Sequence, residues 1–284
     1  MKRNSKAKPA QIPIYEAEVT NGLEFITEGE LRQFGAKIIS TASGAVRFTF
    51  NGSLRAVWQL KTVQSVYLAQ QFDIPRPRGL LGNEQFGLLL SQIESIRALQ
   101  PEAFQTFYVA AAGSDSSIMQ RIRAEIAQKT GLLDADEKGD LWIRIRPAKD
   151  GGWETLIRIS PRPLVARSWR VCNLPGALNA ATAHAMILLT EPKPEDRFVN
   201  LACGSGTLLI EREAYQKAQL ALGFDHNAEH LSCARTNINA GHFNDIQLQL
   251  VDITQMPLKT SSVDVLCADL PFGQLVGTHQ ENAT

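Results

Sequence analysis

The sequence is poor in cysteine and aromatic side chains: 284 residues include only four cysteines and 7% aromatics. The cysteines are scattered, without a CxxC pair and without a histidine at metal-ligand spacing. This excludes the dense disulfide framework of small secreted domains and gives no support for a metal site. We therefore expect four reduced, buried thiols in a cytosolic protein.

Long apolar runs are also missing, since no stretch approaches the roughly 20 residues that a membrane helix requires. The basic segment Met1–Ala10 lacks the apolar run that follows it in a signal peptide. With 44% hydrophobic and 20% charged residues, the composition is typical of a soluble globular protein of two or three domains. These features predict a cytoplasmic protein that does not associate with membranes.

The net charge is zero, but the charges are segregated along the chain. From Glu191 onward there are six Lys/Arg against twelve Asp/Glu, and residues 141–170 are rich in arginine. Such asymmetry is typical of a protein that binds a polyanion with one half and modifies it with the other. A solvated surface with unevenly spread charges is the alternative. The arginines predicted to contact phosphates are Arg144, Arg146, Arg158, Arg162, Arg167 and Arg170.

The amino-terminal half carries mixed helix and strand patterns, which predict two α+β domains at 13–75 and 76–166. The first domain follows the pattern strand, helix, strand, strand, helix, in which the last helix is predicted over Ser53–Leu68. Pro75–Pro77 is interpreted as a linker. In the second domain, arginines alternate with apolar residues in two strands near its end, which predicts a basic outward face.

From about residue 173 to the end, four predicted strands alternate with helices. They cover 198–201, 221–225, 247–251 and 263–268. Alternation of this kind predicts a mostly parallel sheet with helices on both faces. The carboxyl-terminal part is therefore predicted to be an α/β domain of the Rossmann type.

A glycine turn, Cys203–Thr207, lies where the first strand of this domain leads into a helix. Gly204 and Gly206 permit a tight turn and a close approach of the backbone to a ligand, beside Ser205. A dinucleotide-binding fingerprint requires a third glycine at position 209, which is Leu209. The turn alone is equally compatible with a plain strand-to-helix connection.

Two carboxylates follow the glycine turn at successive strand ends. Asp225 ends the second strand, where it can accept both ribose hydroxyls of a nucleoside. Asp252 ends the third strand, where it can meet an adenine edge. Alone, each is more often a helix cap or a turn former. Together with their neighbours His226 and Ile253 they predict a nucleoside site, for which NAD and S-adenosylmethionine both remain candidates.

The motif Asp269–Gly273 ends the fourth strand and distinguishes between these cofactors. An amine nucleophile needs acceptors for its hydrogens, which Asp269 and a backbone carbonyl near Leu270 or Pro271 can supply. Pro271 fixes the backbone there and donates no competing N–H. Phe272 can stack on a flat base removed from its helix. A purely hydrophobic turn is the alternative.

In this order, these motifs resemble motifs I to IV of the class I methyltransferases that modify exocyclic amines. The Leu-Pro-Phe-Gly form is similar to that of the THUMP-containing enzymes that make N2-methylguanosine in tRNA. The upstream segments that share the resemblance are Gly22–Glu24, Asp140–Ile143, Pro163–Arg170 and Pro175–Asn179.

The resemblance implies a ferredoxin-like domain at 13–75, a THUMP RNA-binding domain at 76–166 and an incomplete Rossmann-like methyltransferase domain at 173–284. It also implies S-adenosylmethionine as cofactor, tRNA as partner, and methyl transfer to the N2 amine of a guanosine without a metal or a protein partner. Ribosomal RNA is an alternative substrate, and a non-catalytic RNA-binding remnant is an alternative function. A nicotinamide oxidoreductase is disfavoured by Leu209 and by the Asp-Leu-Pro-Phe motif.

Two features depart from the family pattern. Gln274–Gly277 stands where a basic residue usually follows the Leu-Pro-Phe-Gly motif. The class I sheet has seven strands, whereas this chain stops about eleven residues after Gly273. From the sequence we therefore expect a truncated gene product or a fragment with an exposed fourth strand, which transfers methyl groups poorly or not at all.

Overall fold

The computed structural model describes residues 12–270. The chain divides into two compact units between Leu164 and Val165. The first unit contains both of the predicted amino-terminal domains, and the second contains the predicted methyltransferase domain. The finer boundary at 75 and 76 remains a prediction.

The first unit is built around one mixed eight-stranded sheet. Its helices and strands, in chain order, are β1 (Ile14–Glu18), α1 (Glu24–Gln33), β2 (Lys37–Ala42), β3 (Ala45–Thr49), β4 (Ser65–Phe72), α2 (Asn83–Arg97), β5 (Thr106–Ala111), α3 (Ser117–Thr130), β6 (Leu133–Asp134), β7 (Leu141–Pro147) and β8 (Trp153–Arg158).

The strand order in this sheet is β2-β3-β1-β4-β8-β7-β5-β6. Read from β4, the first four strands lie side by side in the order 4-1-3-2, which is the order of a ferredoxin-like fold. Along the chain, the pattern β-α-β-β precedes β4, as in that fold. Antiparallel pairing of β4 with β8 joins this part to the rest of the sheet. The strand order is thus that of the predicted ferredoxin-like arrangement, within a sheet that continues across the whole unit.

One predicted element of this unit is wrong. The helix predicted over Ser53–Leu68 is a short 3₁₀ helix, Leu54–Gln59, followed by strand β4. Val66 and Tyr67 favour a strand, and β4 gains hydrogen-bonding partners on both sides, β1 and β8. Tertiary pairing therefore overrides the local helical pattern.

Helix α3 illustrates how the sequence positions the core of this unit. Ser116 caps it by accepting a hydrogen bond from the Met119 amide, and Gly131 ends it with φ +72°. The buried stripe is Met119, Ile122 and Ile126. Burial of each such side chain contributes about 1.5–3 kcal/mol.

The second unit is an α/β layer with a wholly parallel four-stranded sheet of order β11-β10-β9-β12. This is the strand order of half a Rossmann fold, so the predicted fold class is confirmed. The helices and strands of this unit are α4 (Ala180–Leu189), β9 (Arg197–Leu201), α5 (Thr207–Tyr215), β10 (Leu220–Asp225), α6 (Ala228–Ala240), β11 (Gln247–Leu250) and β12 (Val265–Ala268).

Helix α4 was not predicted, because it is apolar nearly throughout and has no amphipathic stripe to mark it. Asn179 caps it by accepting hydrogen bonds from the amides of Ala181 and Thr182. Within residues 12–270, no helix is both long enough and apolar enough to cross a membrane.

The expectation of four reduced thiols is wrong for one pair. Cys172 and Cys233 form a disulfide across 61 residues of sequence, with their Cα atoms 5.5 Å apart. Cys203 and Cys267 are free and buried. Residues 171–173 pack on α6, and this packing brings Cys172 next to Cys233. The two cysteines are 61 residues apart, so the sequence gives no sign that they meet. Among the described residues, no cluster of three or more His, Cys, Asp or Glu side chains is arranged to hold a metal.

Candidate active site

The second unit contains a cavity of about 500 Å³ at the carboxyl edge of its sheet. The strand order reverses between β9 and β12, and such a reversal opens a crevice where ligands of α/β proteins bind. The glycine turn follows β9, and Asp269 follows β12. The predicted cofactor and amine motifs therefore lie on either side of one crevice. The lining residues used below are Leu174–Leu178, Asn200, Gly204, Asp225, His230 and Asp269.

The glycine turn bends sharply away from β9. Ala202, Gly204 and Gly206 have φ values of +46°, +52° and +80°, in the left-handed region that glycine favours. A Cβ on Gly204 would meet nothing nearer than the Ala202 carbonyl at 4.0 Å, so the space beside it belongs to the cavity. A Cβ on Gly206 would lie 3.3 Å from that of Ala234. One glycine therefore opens the cavity, and the other allows α5 to approach α6.

Asp225 is buried and is oriented by two backbone amides. Its Oδ2 accepts a hydrogen bond from the Gly204 N–H at 2.9 Å, and its Oδ1 accepts one from the Asn227 N–H at 3.0 Å. His230 Nδ1 lies 3.3 Å from Oδ1. A carboxylate offers about four lone-pair sites, so this group can accept further hydrogen bonds from the hydroxyls of a ligand.

Cys203 lines the same cavity but is not suited to nucleophilic chemistry. Burial, together with the nearby Asp225 charge, raises the pKa of its thiol to about 12. The thiol is therefore protonated at neutral pH, and the thiolate that covalent catalysis requires is absent. Cys203 contributes to the shape of the cavity instead.

Asp269 and Leu270 line the cavity, and both residues are solvent-exposed. Partial desolvation raises the pKa of the Asp269 carboxyl, which makes it a better proton acceptor than an ordinary aspartate. The buried Asn200 side chain donates to the Cys267 carbonyl at 3.1 Å, so β9 and β12 are tied together directly behind this position. Pro271 and Phe272, the other predicted catalytic residues, lie outside the described residues.

Of the remaining residues predicted to bind the cofactor, some line the cavity and others do not. Ser205, Thr207 and His226 line the cavity. Asp252 is exposed and is not part of the cavity wall; its Oδ1 accepts hydrogen bonds from the Thr254 amide and hydroxyl. Ile253 begins the 3₁₀ helix Ile253–Gln255. Contact of Asp252 and Ile253 with a cofactor therefore stays a prediction.

Several parts of the cavity wall, including Ala202 and Leu208, are not among the predicted site residues. Leu174–Leu178 forms one wall, and Asn200 and His230 contribute to others. Asn200 lies shortly before the glycine motif in the sequence. His230 follows Asp225 by five residues and lies in the first turn of α6. Proximity to the motifs was therefore the available signal for these two side chains.

The predicted basic face in the first unit is largely neutralised. Arg144 forms an ion pair with Glu18 at 2.8 Å, and Arg146 binds Glu16 at 2.6 Å and Glu154 at 2.8 Å. The acidic partners come from β8, which pairs with β7, and from β1, which lies further along the same sheet. The local alternation of arginines did not take them into account.

The structure places the other predicted phosphate contacts in different environments. Arg158 is buried and donates to the carbonyls of Ser160 and Pro161. Arg167 is buried and pairs with Glu211 at 2.8 Å, so neither can form part of a surface phosphate track. Arg170 donates hydrogen bonds to the Leu178 carbonyl and the Thr207 hydroxyl, both in the second unit. Arg162 is exposed.

Comparison with known proteins agrees with this geometry. Residues 167–284 match the UPF0020 family model, described as an RMKL-like methyltransferase domain. A mouse tRNA (guanine(6)-N(2))-methyltransferase THUMP3 is 31% identical over 120 residues, which cover 38% of this chain and 24% of that protein. The tRNA (guanine(6)-N2)-methyltransferase of Methanocaldococcus jannaschii is 23% identical over an alignment covering 93% of this chain and 82% of that protein. The match to the mouse relative thus spans about a quarter of its length.

Solved structures share the fold. TrmN from Thermus thermophilus superimposes with a TM-score of 0.70 at 21% identity, covering 92% of this chain and 80% of that one. SMU.472, a putative methyltransferase complexed with SAH, gives 0.66 at 17% identity, covering 96% and 84%. Residues 167–284 are thus similar to a methyltransferase domain, and the mouse and archaeal relatives carry the names of tRNA guanine N2-methyltransferases, in line with the resemblance that the motifs indicated.

Proposed function

We propose that this chain, whose residues 167–284 belong to the RMKL-like methyltransferase domain family, binds S-adenosylmethionine and methylates the N2 amine of a guanosine in tRNA. The observation that carries the proposal is the shared cavity, in which Asp225 and the glycine turn lie on one side of the strand reversal and Asp269 on the other. The names of the mouse and archaeal relatives support the choice of amine and RNA.

The residues present fit the cofactor. The cavity volume of about 500 Å³ falls within the range of small-molecule sites, roughly 300–1,000 Å³. Asp225 would accept the ribose hydroxyls, and the open space beside Gly204 would admit a ligand close to the backbone. When bound, the cofactor supplies an electrophilic methyl group.

The role of the chain in catalysis is to hold and orient the nucleophile. Asp269 would accept a hydrogen bond from the guanine N2 amine, which aligns the nitrogen lone pair. The raised pKa of its carboxyl favours uptake of the proton that the nitrogen loses on methylation. The protonated Cys203 thiol is assigned no covalent role.

Recognition of RNA is assigned to the first unit, by analogy with the THUMP-containing relatives. Arg144 and Arg146 are held by glutamates and Arg158 is buried, so these three side chains contribute shape more than net positive charge. Of the predicted phosphate contacts, Arg162 is the exposed candidate. We therefore expect recognition of RNA shape with only a modest dependence on salt.

The test is a single-turnover assay with protein in excess over unmodified tRNA and isotope-labelled S-adenosylmethionine. N2-methylguanosine is then quantified by mass spectrometry of the digested RNA. An excess of protein makes even slow transfer measurable. Asp269→Asn should lower the rate by about 10²-fold or more, on the scale of a lost acid–base group.

Asp245→Asn is the matched control, because Asp245 is exposed and its surface ion pair with Lys217 contributes little to stability. It should transfer methyl groups at the wild-type rate. Cofactor binding without any N2-methylguanosine would contradict the proposed reaction. Failure to bind S-adenosylmethionine would contradict the proposal at its first step.

A further inference from the structure

The cavity wall formed by Leu174–Leu178 belongs neither to a helix nor to a strand. Residues 171–179 contain only turns and irregular backbone. Irregular backbone has no repeating hydrogen bonds to fix it, so its position depends on side chains from other elements. The Cys172–Cys233 disulfide links this segment to α6, and two further side chains, Asn237 and Arg170, hydrogen-bond to its backbone.

Asn237 lies on α6, is fully buried and makes four hydrogen bonds. Its Oδ1 accepts from the amides of Val171 at 3.0 Å and Cys172 at 2.8 Å. Its Nδ2 donates to the carbonyls of Cys172 at 2.9 Å and Ser205 at 3.0 Å. The carboxamide thus uses its full capacity of two acceptor sites and two donors. It joins residues 171 and 172, which lead into the wall, to the glycine turn.

Arg170 holds the far end of the same wall. Its Nη2 donates to the Leu178 carbonyl at 2.7 Å and to the Thr207 hydroxyl at 2.8 Å. Thr207 is the first residue of α5, directly after the glycine turn. The segment that leads into the wall is therefore connected to the glycine turn at Ser205, and the carboxyl end of the wall is connected to it at Thr207.

We propose that Asn237 and Arg170 are positioning residues that fix the Leu174–Leu178 wall against the glycine turn and thereby set the affinity of the cavity for the cofactor. This inference rests on the proposed function for its ligand but not for its geometry. Neither residue lines the cavity, so each acts through the backbone that it holds.

Asn237→Asp is the most informative change because it preserves shape. The two accepting contacts with Val171 and Cys172 survive, whereas both donors to the carbonyls of Cys172 and Ser205 are replaced by an oxygen that repels them. Asn239→Asp is the matched control, since Asn239 lies on the same helix and is exposed. All proteins are compared in the oxidised form, so that the Cys172–Cys233 disulfide is present throughout.

Two measurements are made below the onset of thermal unfolding. Calorimetry with S-adenosylhomocysteine should show affinity at least tenfold weaker for Asn237→Asp and unchanged for Asn239→Asp. Hydrogen exchange of the ligand-free proteins should become faster in residues 171–178 and the glycine turn of Asn237→Asp, with the central strands β9 and β10 unaffected. The exchange pattern separates a positioning role from a general loss of stability.

Arg170→Met provides a second, independent variant if Asn237→Asp does not fold, because Arg170 is partly exposed. It should accelerate exchange near Leu178 and weaken binding of S-adenosylhomocysteine at least fivefold. Wild-type exchange in residues 171–178 of the folded variant, or wild-type affinity, would overturn the inference. Absence of binding by the wild-type protein, with faster local exchange in the variants, would instead reject the proposed function and leave the positioning role supported.

Discussion

The Asp225 carboxylate accepts a hydrogen bond from the Gly204 amide at 2.9 Å, which joins the end of β10 to the glycine turn after β9. The same carboxylate is oriented by the Asn227 amide. The Asp225 carboxylate at the end of β10 is thus held by the turn that follows β9, the neighbouring parallel strand, and it faces the cavity as a hydrogen-bond acceptor. The arrangement links the shape of the turn to the group proposed to bind the ribose.

Asp225→Asn should weaken binding of S-adenosylhomocysteine by about 1.5–3 kcal/mol, or roughly 10- to 150-fold. The amide can still accept the Gly204 N–H, but it loses the charge-assisted bonds to the ribose hydroxyls. Isothermal calorimetry measures the change, with Asp245→Asn as the surface control. Wild-type affinity in Asp225→Asn would contradict the assigned role.

At acidic pH, the dependence of the methyl-transfer rate on pH should follow the ionisation of Asp269. Only the carboxylate form accepts hydrogens from the amine, and desolvation raises the pKa of this group. The rate should therefore rise with pH through a value above the ordinary aspartate pKa of about 4 and level off beyond it. Single-turnover rates from pH 4 to 8 provide the measurement. The residual rate of Asp269→Asn should lack this dependence on pH, and a dependence that persists in the variant would have another origin.

Glu211 is a buried structural carboxylate rather than a catalytic one. Its oxygens lie 2.8 Å from Arg167 Nε and 2.8 Å from His184 Nδ1. Burial alone would raise its pKa, but the bonds to His184 and Arg167 outweigh this and lower it. Because the folded-state pKa is lowered, the stabilisation is present at neutral pH and is lost as the pH falls through that value.

Glu211→Gln should therefore lower the free energy of unfolding at pH 7 by about 3–5 kcal/mol, since the buried Arg167 loses its carboxylate partner. Urea unfolding measures the difference. Glu229→Gln, at an exposed position in the first turn of α6, should change stability by less than about 0.5 kcal/mol. An equal effect of the two substitutions would show that the buried pair contributes nothing specific.

Reduction should destabilise the second unit through the Cys172–Cys233 bond. The disulfide closes a loop of 61 residues, for which the chain-entropy model gives about 4 kcal/mol. Thermal unfolding with and without a phosphine reductant should show a lower midpoint in the reduced protein. Cys172→Ser should unfold at this lower midpoint in both conditions. A wild-type midpoint that does not respond to the reductant would contradict the presence of the bond.

The parts of the site that were predictable from sequence are those with local signals. The glycine turn, Asp225 and Asp269 each follow a strand, and parallel strands bring their carboxyl ends to one edge. Asn237 carries no such signal, because its hydrogen bonds reach residues 32 and 65 positions away. The predicted basic face failed for the same reason, because Arg144 is paired with Glu18, which lies 126 residues away in the sequence.

Arg197 and Asp264 fix the register of the strand that carries Asp269. Asp264 accepts hydrogen bonds from the Arg197 guanidinium at 2.8 and 2.9 Å and from its backbone amide at 2.8 Å, directly before β12. The guanidinium and amide bonds lower the pKa of Asp264 to about 2. A lowered folded-state pKa means that this contribution is complete above the ordinary value of about 4 and is lost as the pH falls toward 2.

Asp264→Asn should therefore reduce the acid sensitivity of the fold between pH 4 and 2 while changing stability little at pH 7, because the pair is exposed to solvent. Denaturant midpoints measured across this pH range for wild type and variant give the comparison. The wild-type midpoint should fall more steeply than that of Asp264→Asn, since only the wild type takes up a proton at this position on unfolding in acid. Parallel curves would show that Asp264 has the same pKa in the folded and unfolded chains, and the register of β12 would then have to depend on its pairing with β9 alone.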